Sequence, residues 1–161
     1  MMRACIALAV ATVVIGASTG AYAGQDTLEG VWRVLGEVDR RADGSLVETG
    51  PADGYDGILI FTDGYMSSTI VPKGRTWTRD KVSAEELREM FEASSAHAGR
   101  YEVDPVSHTV KIENIVSLDP GEEGKWFTVN YSLEKDSLSL SGPWTYHGEK
   151  LTFTVRLARI E

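Results

Sequence analysis

Along residues 28–39 the chain alternates. Leu28, Gly30, Trp32, Val34, Gly36 and Val38 share one parity, while Glu29, Arg33, Glu37 and Asp39 share the other. A period of two with one apolar face predicts a half-buried strand, with Glu37 and Asp39 on the outward face. Two glycines on the apolar side predict tight curvature, as a small barrel requires. Asp-Gly pairs stand at 43–44, 53–54 and 63–64. Both positions of such a pair tolerate positive φ, and the spacing is one short strand plus one turn. Residues 57–62 and 65–71 flank the third pair and predict a hairpin. Further strands are predicted at 100–104, 109–118, 126–134, 137–141 and 150–160, with turns at Asp104-Pro105 and Lys135-Asp136.

The period changes once. Residues 72–82 read as a loop containing Trp77. Ser83 followed by Glu86 is a capping box and opens a helix. Leu87, Met90, Phe91 and Ser94 then fall on one helical face, and the helix is predicted to end near Gly99. His97 would lie in its last turn, where a cation suits the dipole. Eight or nine short strands with one helix predict an all-β sandwich or barrel.

The N-terminus is a separate unit. Arg3 precedes an uncharged apolar run at 5–16, and Ala21-Tyr22-Ala23 is a cleavage signal. Residues 1–23 therefore read as a secretory signal peptide, leaving 24–161 as the domain and placing it in the periplasm or outside the cell. The apolar run is too short and too weakly hydrophobic for an ordinary span, and no later segment is long enough, so no integral span is expected in the mature protein. Cys5 is the single cysteine and leaves with the signal, which excludes disulfides and thiol chemistry. Losing Arg3 takes the formal charge of −8 one unit lower. Such acidity excludes nucleic acid as a partner, since phosphate binding needs clustered Lys and Arg.

Specific segments then stand out. LEGVW at 28–32 holds the G-x-W of a first lipocalin strand. YDGILIFTDGYMS at 55–67 is similar to the central hairpin of the bacterial lipocalin-like domain family, and AGRYEVD at 98–104 to its strand after the helix. Leu157-Ala158-Arg159 sits where that family ends in an apolar residue and an Arg. From about Thr27 onward the chain resembles this family. The resemblance implies an antiparallel eight- or nine-stranded lipocalin-like barrel of the calycin type, with one amphipathic helix near one end. It also implies structural roles for Gly30, Trp32 and Arg159, because in lipocalins a late Arg packs over the Trp of G-x-W. Arg159 shares the parity of Leu157 and Phe153, which suits that pairing. Two family features are not matched: a T-D-Y type turn is not evident, and Lys111 and Ile112 stand where many members carry histidines.

A barrel of this size can hold one small ligand. Strand parity points Tyr65, Tyr101, Val110, Ile112, Asn114, Val116, Phe127, Val129, Tyr131, Phe153 and Val155 inward. Asn114 is the polar member, either a ligand-orienting group or a satisfied structural amide. Trp77, Met90 and Phe91 form a lid or plug, or else the helix stripe is core packed over one barrel end. Trp126, Trp144 and Tyr146 lie near strand ends and either line a mouth or cap it. The ligand-binding candidates are thus Tyr65, Trp77, Met90, Phe91, Tyr101, Asn114, Phe127 and Tyr131. His97, His108 and His147 lack metal-ligand spacing, and Glu85, Glu86, Glu89 and Glu92 read as a solvated helix face. No catalytic residue, metal site or cofactor is predicted. The expectation is an exported barrel that binds a small apolar or amphipathic ligand. One alternative is a barrel enzyme for isomerisation or cyclisation, marked by an inward Tyr, His or carboxylate beside Asn114. The other is an envelope interaction protein with a filled barrel, marked by an exposed apolar patch.

Overall fold

A computed structural model describes residues 27–50, 53–76 and 80–160. The predicted signal peptide and Trp77 lie outside the described residues. The strands are β1 (Gly30–Arg40), β2 (Leu46–Val47), β3 (Tyr55–Thr62), β4 (Tyr65–Pro72), β5 (Ser95–Asp104), β6 (Thr109–Ser117), β7 (Trp126–Glu134), β8 (Ser137–Tyr146) and β9 (Glu149–Arg159). One helix, α1 (Ala84–Glu92), lies between β4 and β5. From β3 to β9 each strand pairs antiparallel with the next, and β1 pairs with both β3 and β9. β1 and β3–β9 therefore close into an eight-stranded barrel, and the short β2 pairs onto β1. Closure removes the unpaired sheet edges that an open meander would expose.

The barrel has two different ends. The lower end carries the Asp63-Gly64 turn, the 105–108 turn and the Lys135-Asp136 turn. Asp63 and Gly64 have φ of 46° and 76°, the left-handed geometry for which Asp-Gly is suited. The upper end carries the β1–β2 turn, the connection through α1, the 118–125 loop and the His147-Gly148 turn. Trp32, Phe61, Val110, Leu138 and Leu157 are almost wholly buried and fill the lower half. Each such side chain contributes about 1.5–3 kcal/mol by leaving water.

The helix departs from expectation in two ways. Its capping box forms, with Ser83 Oγ accepting from the Glu86 N–H and the Glu86 carboxylate accepting from the Ser83 N–H at 2.8 Å. It stops at Glu92, however, and Ser95 already begins β5. His97 pairs with Ser68 on β4, and the Leu118 N–H donates to the Ala96 carbonyl, so sheet pairing overrides the helical period there. No residue of α1 is buried. Leu87 and Phe91 are exposed and Met90 is half-buried, so the stripe does not form core over the barrel end.

Strand parity fails at two bulges. In β1 the register shifts between Val34 and Gly36, leaving Leu35 as the extra residue, exposed on the outer wall. A one-residue insertion turns everything beyond it to the opposite face. Glu37 and Asp39 consequently face the interior, and Asp39 is only 3% exposed. In β6 the extra residue is Ile115, since Gly99 pairs with Asn114 and Ala98 with Val116. Asn114 stays inside, whereas Val116, predicted inward, stands outside at 60% exposed. Tyr65 is a third correction. The inward parity of β4 belongs to Met66 and Ser68, both buried, and Tyr65 lies outside at 54% exposed. No helix among the described residues is long and apolar enough to cross a membrane.

Candidate functional site

The lower end is sealed by the pair that the G-x-W motif implies. Gly30 has φ of 128°, a conformation that admits glycine and few other residues, and it sets Trp32 into the core. The Trp32 indole N–H donates to the Leu28 carbonyl at 2.8 Å. Arg159 Cζ lies 4.1 Å from the Trp32 ring centroid. Its guanidinium also donates to the carbonyls of Glu29 and Thr27. The planar cation is thus stacked on one face and hydrogen-bonded at its edge, which closes this end to solvent.

The upper half is different in kind. Beyond the β1 bulge, Glu37 and Asp39 project inward, two residues apart on one face. Asp39 accepts from the Trp144 indole N–H at 2.7 Å and from the Thr49 hydroxyl. Glu37 has no such donors among the described residues. Burial, and then the neighbouring Asp39 charge, push its carboxyl up to about 7. Among the described residues no cation offsets that shift. Tyr55 faces the same carboxylates from β3. Burial, then Glu37, Asp39 and Tyr146, push its phenol up to about 12. Gly50 lies so close over the Tyr55 ring that a Cβ there would sit 2.7 Å from its hydroxyl. Trp144 and Tyr146 complete the group, their ring centroids 5.4 Å apart. The result is two carboxyl groups bordered by three aromatic rings at the upper opening.

Across the barrel stands a second polar group. In ring order β6 lies opposite β1. Asn114 on β6 is 5% exposed, and its side-chain oxygen has no hydrogen-bond partner among the described residues. Its backbone is satisfied, donating to the Lys125 carbonyl and accepting from the Gly124 N–H. His97 on β5 shares this interior, edge-on to Phe127 at 5.9 Å between ring centroids. Burial lowers the His97 pKa, so its ring is held toward the neutral form. Ser68, paired with His97, is 3% exposed. Among the described residues no three His, Cys, Asp or Glu side chains converge as a metal site would require.

The predicted ligand residues therefore divide. Asn114 and Phe127 belong to the upper interior. Tyr101 lies low in the barrel, edge-on to Phe61 at 5.1 Å. Tyr131 is also low, near His108, and borders an open cleft of about 510 Å³ with Ser132, Leu133 and Glu134. A second open cleft, about 340 Å³, lies on the outer wall over Lys111 and Trp126. Neither cleft contains the buried polar groups. Tyr65 is on the outer wall, Phe91 is exposed and Met90 is half-buried on a helix that packs little. Glu37, Asp39, Ser68 and His97 were missed by sequence parity. The signal for the first two was present: Leu35 is an apolar residue on the polar parity, and Gly36 interrupts a strand, as glycine at a bulge does.

No curated protein matches the chain. The sequence pattern of the lipocalin-like domain matches residues 29–154, which span β1 to the middle of β9 and include Glu37, Asp39, Ser68, His97 and Asn114. A closed eight-stranded antiparallel barrel with its G-x-W tryptophan under a late arginine agrees with that match, and the chain belongs to the lipocalin-like domain family.

Proposed function

We propose that the protein is exported and binds one small amphipathic molecule in the upper half of its barrel. The Asn114 side-chain oxygen carries this reading. Buried polar groups are nearly always hydrogen-bonded, and this one is inward, buried and without a partner among the described residues. A ligand atom that donates to it would supply the missing bond. The sealed apolar lower half then forms the floor, and the aromatic residues at the upper opening form the walls that cover the ligand's apolar body.

Tryptophan fluorescence reports on the site, because Trp144 borders it. Titration with a panel of small amphipathic molecules is expected to give saturable changes with at least one member. Asn114→Leu, which removes the acceptor and keeps the bulk, is expected to weaken that binding about tenfold. Saturable binding unaltered by Asn114→Leu would move the site elsewhere. Export is tested by N-terminal sequencing of the protein recovered from the periplasm or medium, with Gly24 as the expected first residue.

A second reading is favoured by Glu37. A carboxyl held near neutrality inside a barrel is suited to take and return a proton in an isomerisation or cyclisation. Deuterium exchange from solvent into a bound carbon acid, lost in Glu37→Gln, would establish that reading.

A further inference from the structure

We infer that the upper barrel is a site for a small organic cation, an amine or quaternary ammonium head on an apolar body. This rests on the small-molecule reading above and gives its ligand a chemical class. Glu37 and Asp39 place two carboxyl groups on one inward face, bordered by Tyr55, Trp144 and Tyr146. Carboxyl groups among aromatic faces are the partners an ammonium seeks, by charge and by the ring quadrupole. Asp39 is already held by Trp144 and Thr49, so Glu37 is the carboxyl left for a ligand.

The opposite wall points the same way. Asn114 offers a buried acceptor with no partner among the described residues. His97 on β5 is held toward neutrality and adds no positive charge. The Asn114 side-chain oxygen and the Glu37 carboxylate are both acceptors, and a donor head serves both. A carboxylate or phosphate head would meet the two acids with no cation among the described residues to receive it. A neutral alcohol would satisfy Asn114 and leave Glu37 without its counter-charge.

The groups that bear on Glu37 are few. Asp39 lies on its own strand and Tyr55 comes from β3, while its register partner on β9 is the apolar Val155. An ammonium placed there stabilises the carboxylate over the carboxylic acid. Binding at neutral pH therefore expels a proton from Glu37.

Three probes with one body test the inference by calorimetry on the full protein: 3-phenylpropylamine, 3-phenylpropanol and 3-phenylpropanoate. The amine is expected to bind about tenfold or more tighter than the alcohol, and the carboxylate weakest. Glu37→Gln is expected to remove the amine's advantage and to leave the alcohol within about threefold. The wild-type protein gives a second measurement that needs no variant. Near pH 6.5 the amine's heat of binding is expected to change with the ionisation enthalpy of the buffer, and the alcohol's is not. Equal affinity for amine and alcohol, or a buffer-independent amine heat, overturns the cation site and leaves the small-molecule reading standing. Failure of all three probes and of the wider amphipathic panel overturns both.

Discussion

Trp144 on β8 donates its indole N–H to the Asp39 carboxylate on β1 over 2.7 Å, across the β9 strand that separates them. Asp39 is 3% exposed, so this bond and that from Thr49 stand in for water around its oxygens. Trp144→Phe keeps an aromatic ring and deletes the donor. A buried acceptor left short of one charge-assisted bond costs about 1–3 kcal/mol. Urea unfolding is expected to show that loss. Adding Asp39→Asn should recover part of it, because the uncompensated charge is then gone. Additive losses in the double variant would mean the two residues are not coupled.

The lower end gives a second prediction. Trp32 is fully buried with Arg159 stacked on it. Trp32→Ala removes the largest core side chain and is expected to cost about 3–5 kcal/mol. Arg159→Lys keeps the charge but loses the planar fork that reaches Glu29 and Thr27 together. A loss of about 1–3 kcal/mol is expected there. A thermal melt of Trp32→Ala that matches wild type would refute the assignment of this pair as the barrel's seal.

What the sequence made legible was local. Asp63-Gly64, Lys135-Asp136 and the alternation on either side of them specify hairpins, and hairpins with one apolar face specify most of the barrel. The Trp32–Arg159 contact followed from the family resemblance and from parity on β9, an unbulged strand. The upper interior was not legible for a physical reason. Alternation counts residues, and a bulge adds one without marking it. The Leu35 bulge carried Glu37 and Asp39 from the expected outer face to the inner one. At Ile115 the same event left Asn114 in place and expelled Val116. The 95–99 segment failed differently. Ala96, His97 and Ala98 suit a helix in isolation, and only their pairing with β4 and β6 makes them a strand.

The β6 bulge depends on one glycine. A Cβ at Gly99 would overlap the Glu113 carbonyl oxygen, and no rotamer change can move a backbone atom away. Gly99→Ala is expected to destabilise by more than about 3 kcal/mol or to prevent folding. Gly44 offers the contrast. Its surroundings are open and only its φ of 85° opposes a side chain, so Gly44→Ala should cost about 1–2 kcal/mol. Comparable losses in the two variants, read from denaturant midpoints, would contradict the close approach at Gly99.

Glu37 links the site to stability. Its carboxyl titrates near 4.5 when the chain is unfolded and near 7 in the barrel, so the folded state holds the proton more tightly. Between those values the folded protein carries more protons than the unfolded one, and stability falls as pH rises. The contribution is fully present below about pH 4.5 and is gone above about pH 7, a loss of about 3 kcal/mol. His97 works in the opposite sense, because its lowered pKa costs stability as pH falls below 6.5. The two are separated by comparing wild type with Glu37→Gln, which share His97. Gln is neutral at every pH, so the variant is expected to match wild type near pH 4.5 and to exceed it by about 3 kcal/mol at pH 8. Denaturant unfolding at those two values is the measurement. A difference that stays constant with pH would place the Glu37 carboxyl in water, and the acid–aromatic site would lose its buried charge.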